Sequence, residues 1–158
     1  MTAALVTFLH ARLNDDEQVA RAAKPGPWIR HDHVAGVHAD DATPDRPHGS
    51  AVADCRRVPD GHGVPNALHI VRHQPARVLA DVAAKRRIVD DYAVLLSELD
   101  GLRMQMRVAS AESRDDNFMQ MYQQEGKLIE KSRHLAPVIR SLALPYADHP
   151  DYQVEWRP

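Results

Sequence analysis

"PARVLADVAAKRRIVDDYAVLLSELDGLRMQMRVASA" occupies residues 75–111, and its reading decides the fold. Val78, Val82, Val89, Tyr92, Leu96 and Leu99 recur at steps of three, four and seven, the repeat of one helix face. A parallel row of Ile88, Leu95 and Leu102 repeats every seven residues, and Met106 extends it. Pro75 suits a first helical position, where a missing N–H goes unnoticed. Gly101 interrupts the pattern at a cost of about 1 kcal/mol against alanine, yet the apolar register carries across it. The stretch therefore reads as one helix, roughly 50 Å long.

Further along the chain, "SRDD" at 113–116 offers capping residues for a second long helix through about His134. Phe118, Met121, Tyr122, Leu128 and Ile129 are its apolar positions. Two such helices in succession predict a hairpin. Pro137 is expected to open a separate short helix, "PVIRSLALPYA". The remaining residues hold Tyr152 and Trp156; with Tyr146 they place three of the eight aromatics in the last thirteen residues. So much aromatic area predicts a tail that docks.

In the other direction, Pro65 opens a short helix that closes at His73. Residues 24–65 before it carry six of the eleven prolines and five of the seven glycines. Trp28–His33 and Ser50–Cys55 are expected to pair as a small antiparallel sheet across the loop "DATPDRPHG". Residues 2–22 form an amphipathic helix with Leu5, Phe8, Leu9 and Leu13 on one face and Val19 and Ala20 continuing it. It stops at "KPGPW", because Pro25 disfavours helical geometry at Lys24. The expected class is mainly α with a small antiparallel β element, a helical base plus a long helical hairpin. The parts of this single domain, 1–158, are an N-terminal helix (1–23), a Pro/Gly/His-rich insert (24–64), long helices (65–136), and a short helix with docked tail (137–158).

Composition narrows the function classes. The 158 residues are 44% hydrophobic and 27% charged, with a formal charge of −2. These are globular proportions, with no global field toward nucleic acid or anionic lipid. Residues 76–134 interleave ten Lys/Arg with ten Asp/Glu, the pattern of a solvated helix face, so nucleic-acid binding is not expected. One cysteine, Cys55, excludes an internal disulfide framework and suits a reducing cytoplasm. No apolar run reaches the roughly 20 residues that span a bilayer, so no membrane partner is expected.

The chemical motifs are sparse. There is no phosphate loop, dinucleotide fingerprint or nucleophile elbow, and no enzymatic activity is expected. Seven of the ten histidines fall between His31 and His73. Cys55, His69 and His73 carry zinc-ligand chemistry, with His62 between them and His31 or His33 as substitutes. Zinc is thus the alternative cofactor. "HIVRH" (69–73) lacks the glutamate of zinc proteases. The leading reading rests on the apolar stripe. Leu95, Leu99, Leu102 and Met106 are the expected contact residues of a helical hairpin that pairs with a second copy or another protein.

"FLHARLNDDEQVARAAKPGPW", "HIVRHQPARVLADVAAKRRIVD" and "LALPYADHPDYQVEWRP" together resemble an uncharacterised family of small proteins encoded in actinobacterial genomes and their phages. The resemblance implies provenance, since the family carries no established activity. Gln74 departs from the aspartate cap usual among relatives, and residues 93–136 are not part of the core that carries the resemblance. The sequence therefore predicts a non-enzymatic, cytoplasmic interaction or accessory protein that self-associates.

Overall fold

A computed structural model describes residues 2–31, 35–111 and 117–158. Its described part is 67% helical, with four α-helices and one three-stranded antiparallel sheet. In chain order these are α1 (Thr2–Ala22), β1 (Trp28–Ile29), β2 (Gly36–Ala39), β3 (Ala51–Asp54), α2 (Gly63–Arg72), α3 (Pro75–Ala111) and α4 (Phe118–Ala143), followed by two short 3-10 turns. By contact density the chain divides into two compact units, Met1–Arg12 with Lys85–Pro158, and Leu13–Ala84. Helices α1 and α3 each contribute residues to both.

In the first unit the apolar positions of three helices are turned inward. Leu5, Phe8 and Leu9 of α1, Val89, Tyr92, Leu95, Leu99 and Leu102 of α3, and Ile139 and Ala143 of α4 are buried. Helices α3 and α4 run antiparallel, as two contacts show. Arg103 Nε donates to Glu125 Oε1 at 2.7 Å, and Tyr92 Oη lies 3.5 Å from Ser132 Oγ. His10 Nε2 stands 2.8 Å from Asp90 Oδ1 and ties α1 to α3.

Pro137 does not start a new helix; α4 runs through it from Phe118 to Ala143. Proline removes one backbone donor, but Ile139 and Ala143 beyond it are fully buried, and their burial holds the helical register. The expected cap at 113–116 lies outside the described residues. On α1, Ala20 is buried whereas Val19 is exposed, so Val19 does not continue the buried face. One residue is a 100° step, which takes its neighbour off the face.

In the second unit the sheet order is β1-β2-β3, with Trp28 opposite Ala39, Ile29 opposite His38 and Val37 opposite Ala53. The two expected strands therefore do not pair with each other; β2, four residues long, lies between them. One face packs on α2 through Val37, Cys55 and Ala67, joined by Trp28, Val52, Ile70 and Val71. Alternation along β2 then directs His38 to the opposite face.

Two polar contacts close this unit's loops. Gln74 does not act as a side-chain helix cap; its Oε1 accepts the Trp28 backbone N–H at 3.1 Å. At the end of the 40–50 loop, Asp41 Oδ1 accepts the Ser50 N–H at 2.6 Å and its Oδ2 the Ser50 hydroxyl at 2.7 Å. Gly49 sits there at φ +75°, and a Cβ would meet Ala39 O at 2.0 Å, so no other residue fits without a shift.

Candidate functional site

The expected contact stripe is placed inside the chain. Leu95, Leu99 and Leu102 are buried and Met106 half-buried, in the face of α3 that packs within its own unit. Two residues on is 200° around a helix, so the opposite face of α3 carries a different set. There Val94, Met104 and Val108 are 57%, 56% and 50% exposed. Ser97, Gly101 and Ala111 lie between and beyond them, also exposed, which completes the 3-4-3-4-3 spacing of a heptad seam. A Cβ added at Gly101 would meet nothing within 4 Å, so the chain's own packing does not require glycine there. Helix α4 adds exposed Met119 and Tyr122. Beside the stripe a groove of about 530 Å³ is lined by Ile88, Asp91, Val94, Leu95 and Glu98 of α3 and Lys131 and Leu135 of α4.

The other expected set, Cys55, His69 and His73, is not gathered into one site. Cys55 is a free thiol buried in the apolar cluster under the sheet. His69 and His73 are exposed on α2, their rings 4.3 Å apart at 36°. His73 Nδ1 donates to the His69 carbonyl at 2.9 Å, an intrahelical contact that spends one ring nitrogen. Among the described residues no three His, Cys, Asp or Glu side chains converge closely enough to hold an ion as they stand. His33 lies outside the described residues.

The sequence reading did not pair His31, His38 and His48. The sheet brings their rings to 4.9, 5.7 and 6.4 Å of one another. They line a cleft of about 290 Å³ with Gly36, Ala51, Ala53, Asp54 and Arg56. Asp54 is held well below the usual carboxylate range by the Arg56 guanidinium, which donates to both its oxygens at 2.8 and 2.7 Å. Asp41 is likewise held low by the Ser50 hydroxyl and amide, with Lys24 Nζ 3.0 Å away. The signal for this cluster in the sequence was the histidine density between 31 and 73. Its geometry needed β2.

Comparison with known proteins adds a family. A model described as a family of unknown function, DUF6221, matches residues 2–158. The chain belongs to this family. The matched span encloses residues 93–136, the long-helix region that the sequence resemblance left outside the core. No curated protein and no solved structure matches the chain.

The C-terminal tail of this DUF6221 chain docks on its own first helix. Phe8 is ringed by Tyr146, His149, Tyr152 and Trp156 at centroid distances of 6.3, 5.6, 6.1 and 4.9 Å. Arg12 lies over the Phe8 ring at 5.7 Å and also meets His149 Nε2. Edge-to-face packing of this kind suits the aromatic quadrupole and adds to the area buried.

Proposed function

We propose that this protein is a non-enzymatic interaction or accessory protein that forms a homodimer through the outer face of α3. The observation that carries it is the heptad stripe Val94, Ser97, Gly101, Met104, Val108 and Ala111, every member of which is exposed among the described residues. Antiparallel pairing about a two-fold axis between residues 101 and 104 sets Met104 over the partner's Gly101, Val108 over the partner's Ser97, and Ala111 over the partner's Val94. Glycine there leaves a hole for the methionine knob, a use the monomer lacks. The same register brings Asp100 beside the partner's Arg107 on one flank, twice by symmetry, so the charges complement. Leu95, Leu99 and Leu102 support the hairpin rather than the contact. Among the described residues no helix is long and apolar enough to cross a membrane.

A cytoplasmic setting in actinobacteria or their phages belongs to this proposal. It is supported by the single buried thiol and by the three segments that carry the resemblance. Light scattering coupled to gel filtration tests the dimer: the expected mass is twice 17.7 kDa. Met104→Glu with Val108→Glu halves it and keeps the helical circular dichroism. A wild type of single-chain mass at high concentration, or an unchanged mass in the double variant, overturns the proposal. Leu99→Glu is expected to unfold the chain instead, because it buries a charge without a partner.

A further inference from the structure

We propose that His31, His38 and His48 form a three-imidazole site for one first-row transition-metal ion, for which zinc is the probe. The proposal is independent of the dimer, since it concerns the sheet face turned away from α2. Three observations converge on it.

The first is placement. The three rings come from the end of β1, from β2 and from the loop before β3, and stand 4.9, 5.7 and 6.4 Å apart. Imidazoles sharing one tetrahedral ion at the usual Zn–N length have centroids about 5 Å apart. The closest pair already meets this separation, and the other two need to close by about 1 Å, within reach of side-chain rotation. That closure is needed, because as placed no three ligand groups among the described residues converge on a point.

The second is the state of the ring nitrogens. His31 Nε2 donates to the His48 backbone carbonyl at 3.3 Å, which makes Nδ1 the lone-pair nitrogen of the ring. Such a donation to a backbone carbonyl is the usual outer-shell partner of a metal-bound histidine. His38 Nδ1 is buried with no hydrogen-bond partner among the described residues. A buried polar atom left unpaired is costly, and an ion coordinated there satisfies it.

The third is that the site is built. Gly36 and Ala51, both small, line the cleft of about 290 Å³ beside the three rings. His48 is presented by a loop locked through Asp41, Ser50 and the left-handed Gly49, so its position does not depend on a free surface chain. Asp54, at the rim, is engaged by Arg56 and leaves the ligand set purely imidazole, which suits zinc, copper or nickel over calcium or magnesium. Three protein ligands leave one position for water or an incoming group.

The test is native mass spectrometry and calorimetric titration of the untagged full-length protein with zinc sulfate. One ion per chain is expected, with a dissociation constant in the micromolar range or tighter. His38→Ala and His48→Ala are each expected to weaken it at least tenfold, and His69→Ala with His73→Ala to leave it unchanged. Nitrogen-15 spectra of the imidazoles, which need no variant, are expected to show zinc-induced shifts at His31, His38 and His48 together. The proposal is overturned by no stoichiometric uptake, by uptake that persists in the triple His31, His38, His48 alanine variant, or by uptake that follows the His69/His73 pair.

Discussion

Trp156→Ala isolates the docking of the C-terminal tail. The indole is 2% exposed although only two residues follow it in the sequence, with its ring 4.9 Å from Phe8 and 5.7 Å from Tyr152. Truncating a buried tryptophan to alanine costs about 3–5 kcal/mol, from lost transfer energy and the cavity left behind. A domain holds only about 5–15 kcal/mol in total, so this one change removes a large share. At roughly 2–4 °C per kcal/mol for a chain of this size, the melting temperature falls by about 6–20 °C. Val154, two residues earlier in the same tail, is 69% exposed. Its replacement by alanine is expected to stay within about 0.5 kcal/mol of wild type. Urea unfolding followed by far-ultraviolet circular dichroism measures both. A Trp156→Ala loss below about 1 kcal/mol, or equal losses at the two positions, refutes the docked tail.

Three further predictions concern the loops and helices. Asp41→Asn destabilises the 40–50 loop at neutral pH. Because the folded carboxyl sits below its ordinary value, its contribution is present above about pH 4 and lost as the pH falls below that. The difference between Asp41→Asn and wild type, read by thermal melts across a pH series, should therefore shrink in acid; a constant difference contradicts the Ser50 contacts. Gly49→Ala costs on the order of 1–3 kcal/mol, because φ is +75° and Ala39 O blocks the new Cβ; a melt indistinguishable from wild type rules this out. Gly126→Ala, exposed in α4 with open space around the new Cβ, raises stability by about 0.5–1 kcal/mol in the same assay, and a loss would show that the position is covered.

The end of α1 and the start of α3 were legible because those limits are local. Pro75 and the Pro25-Gly26-Pro27 break act through the backbone of their own neighbours, and the three-four spacing of Val82, Val89, Tyr92 and Leu99 needs no partner to be recognised. The tail's docking was legible for a similar reason, since its aromatic area needs cover wherever it goes. Helix α4 ran past Pro137 because the burial of Ile139 and Ala143 outweighed one missing hydrogen bond, and burial is not written in the local sequence.

What tertiary structure alone decided was which groups share a place. "GVHA" at residues 36–39 is too short and too weakly alternating to be read as a strand, yet as β2 it separates the two expected strands and brings His38 to 5.7 Å from His31 and 6.4 Å from His48. The α3 stripe was visible as an apolar row; that Leu95, Leu99 and Leu102 are spent on the chain's own core, leaving Val94, Met104 and Val108 outside, followed only once the remaining elements had packed. By itself the sequence determined the mainly α class, the two best-bounded helices and the aromatic tail, because periodicity and proline act over a few residues. The faces those elements turn to one another were decided by packing between segments distant in sequence, and both the proposed dimer seam and the histidine cleft depend on those faces.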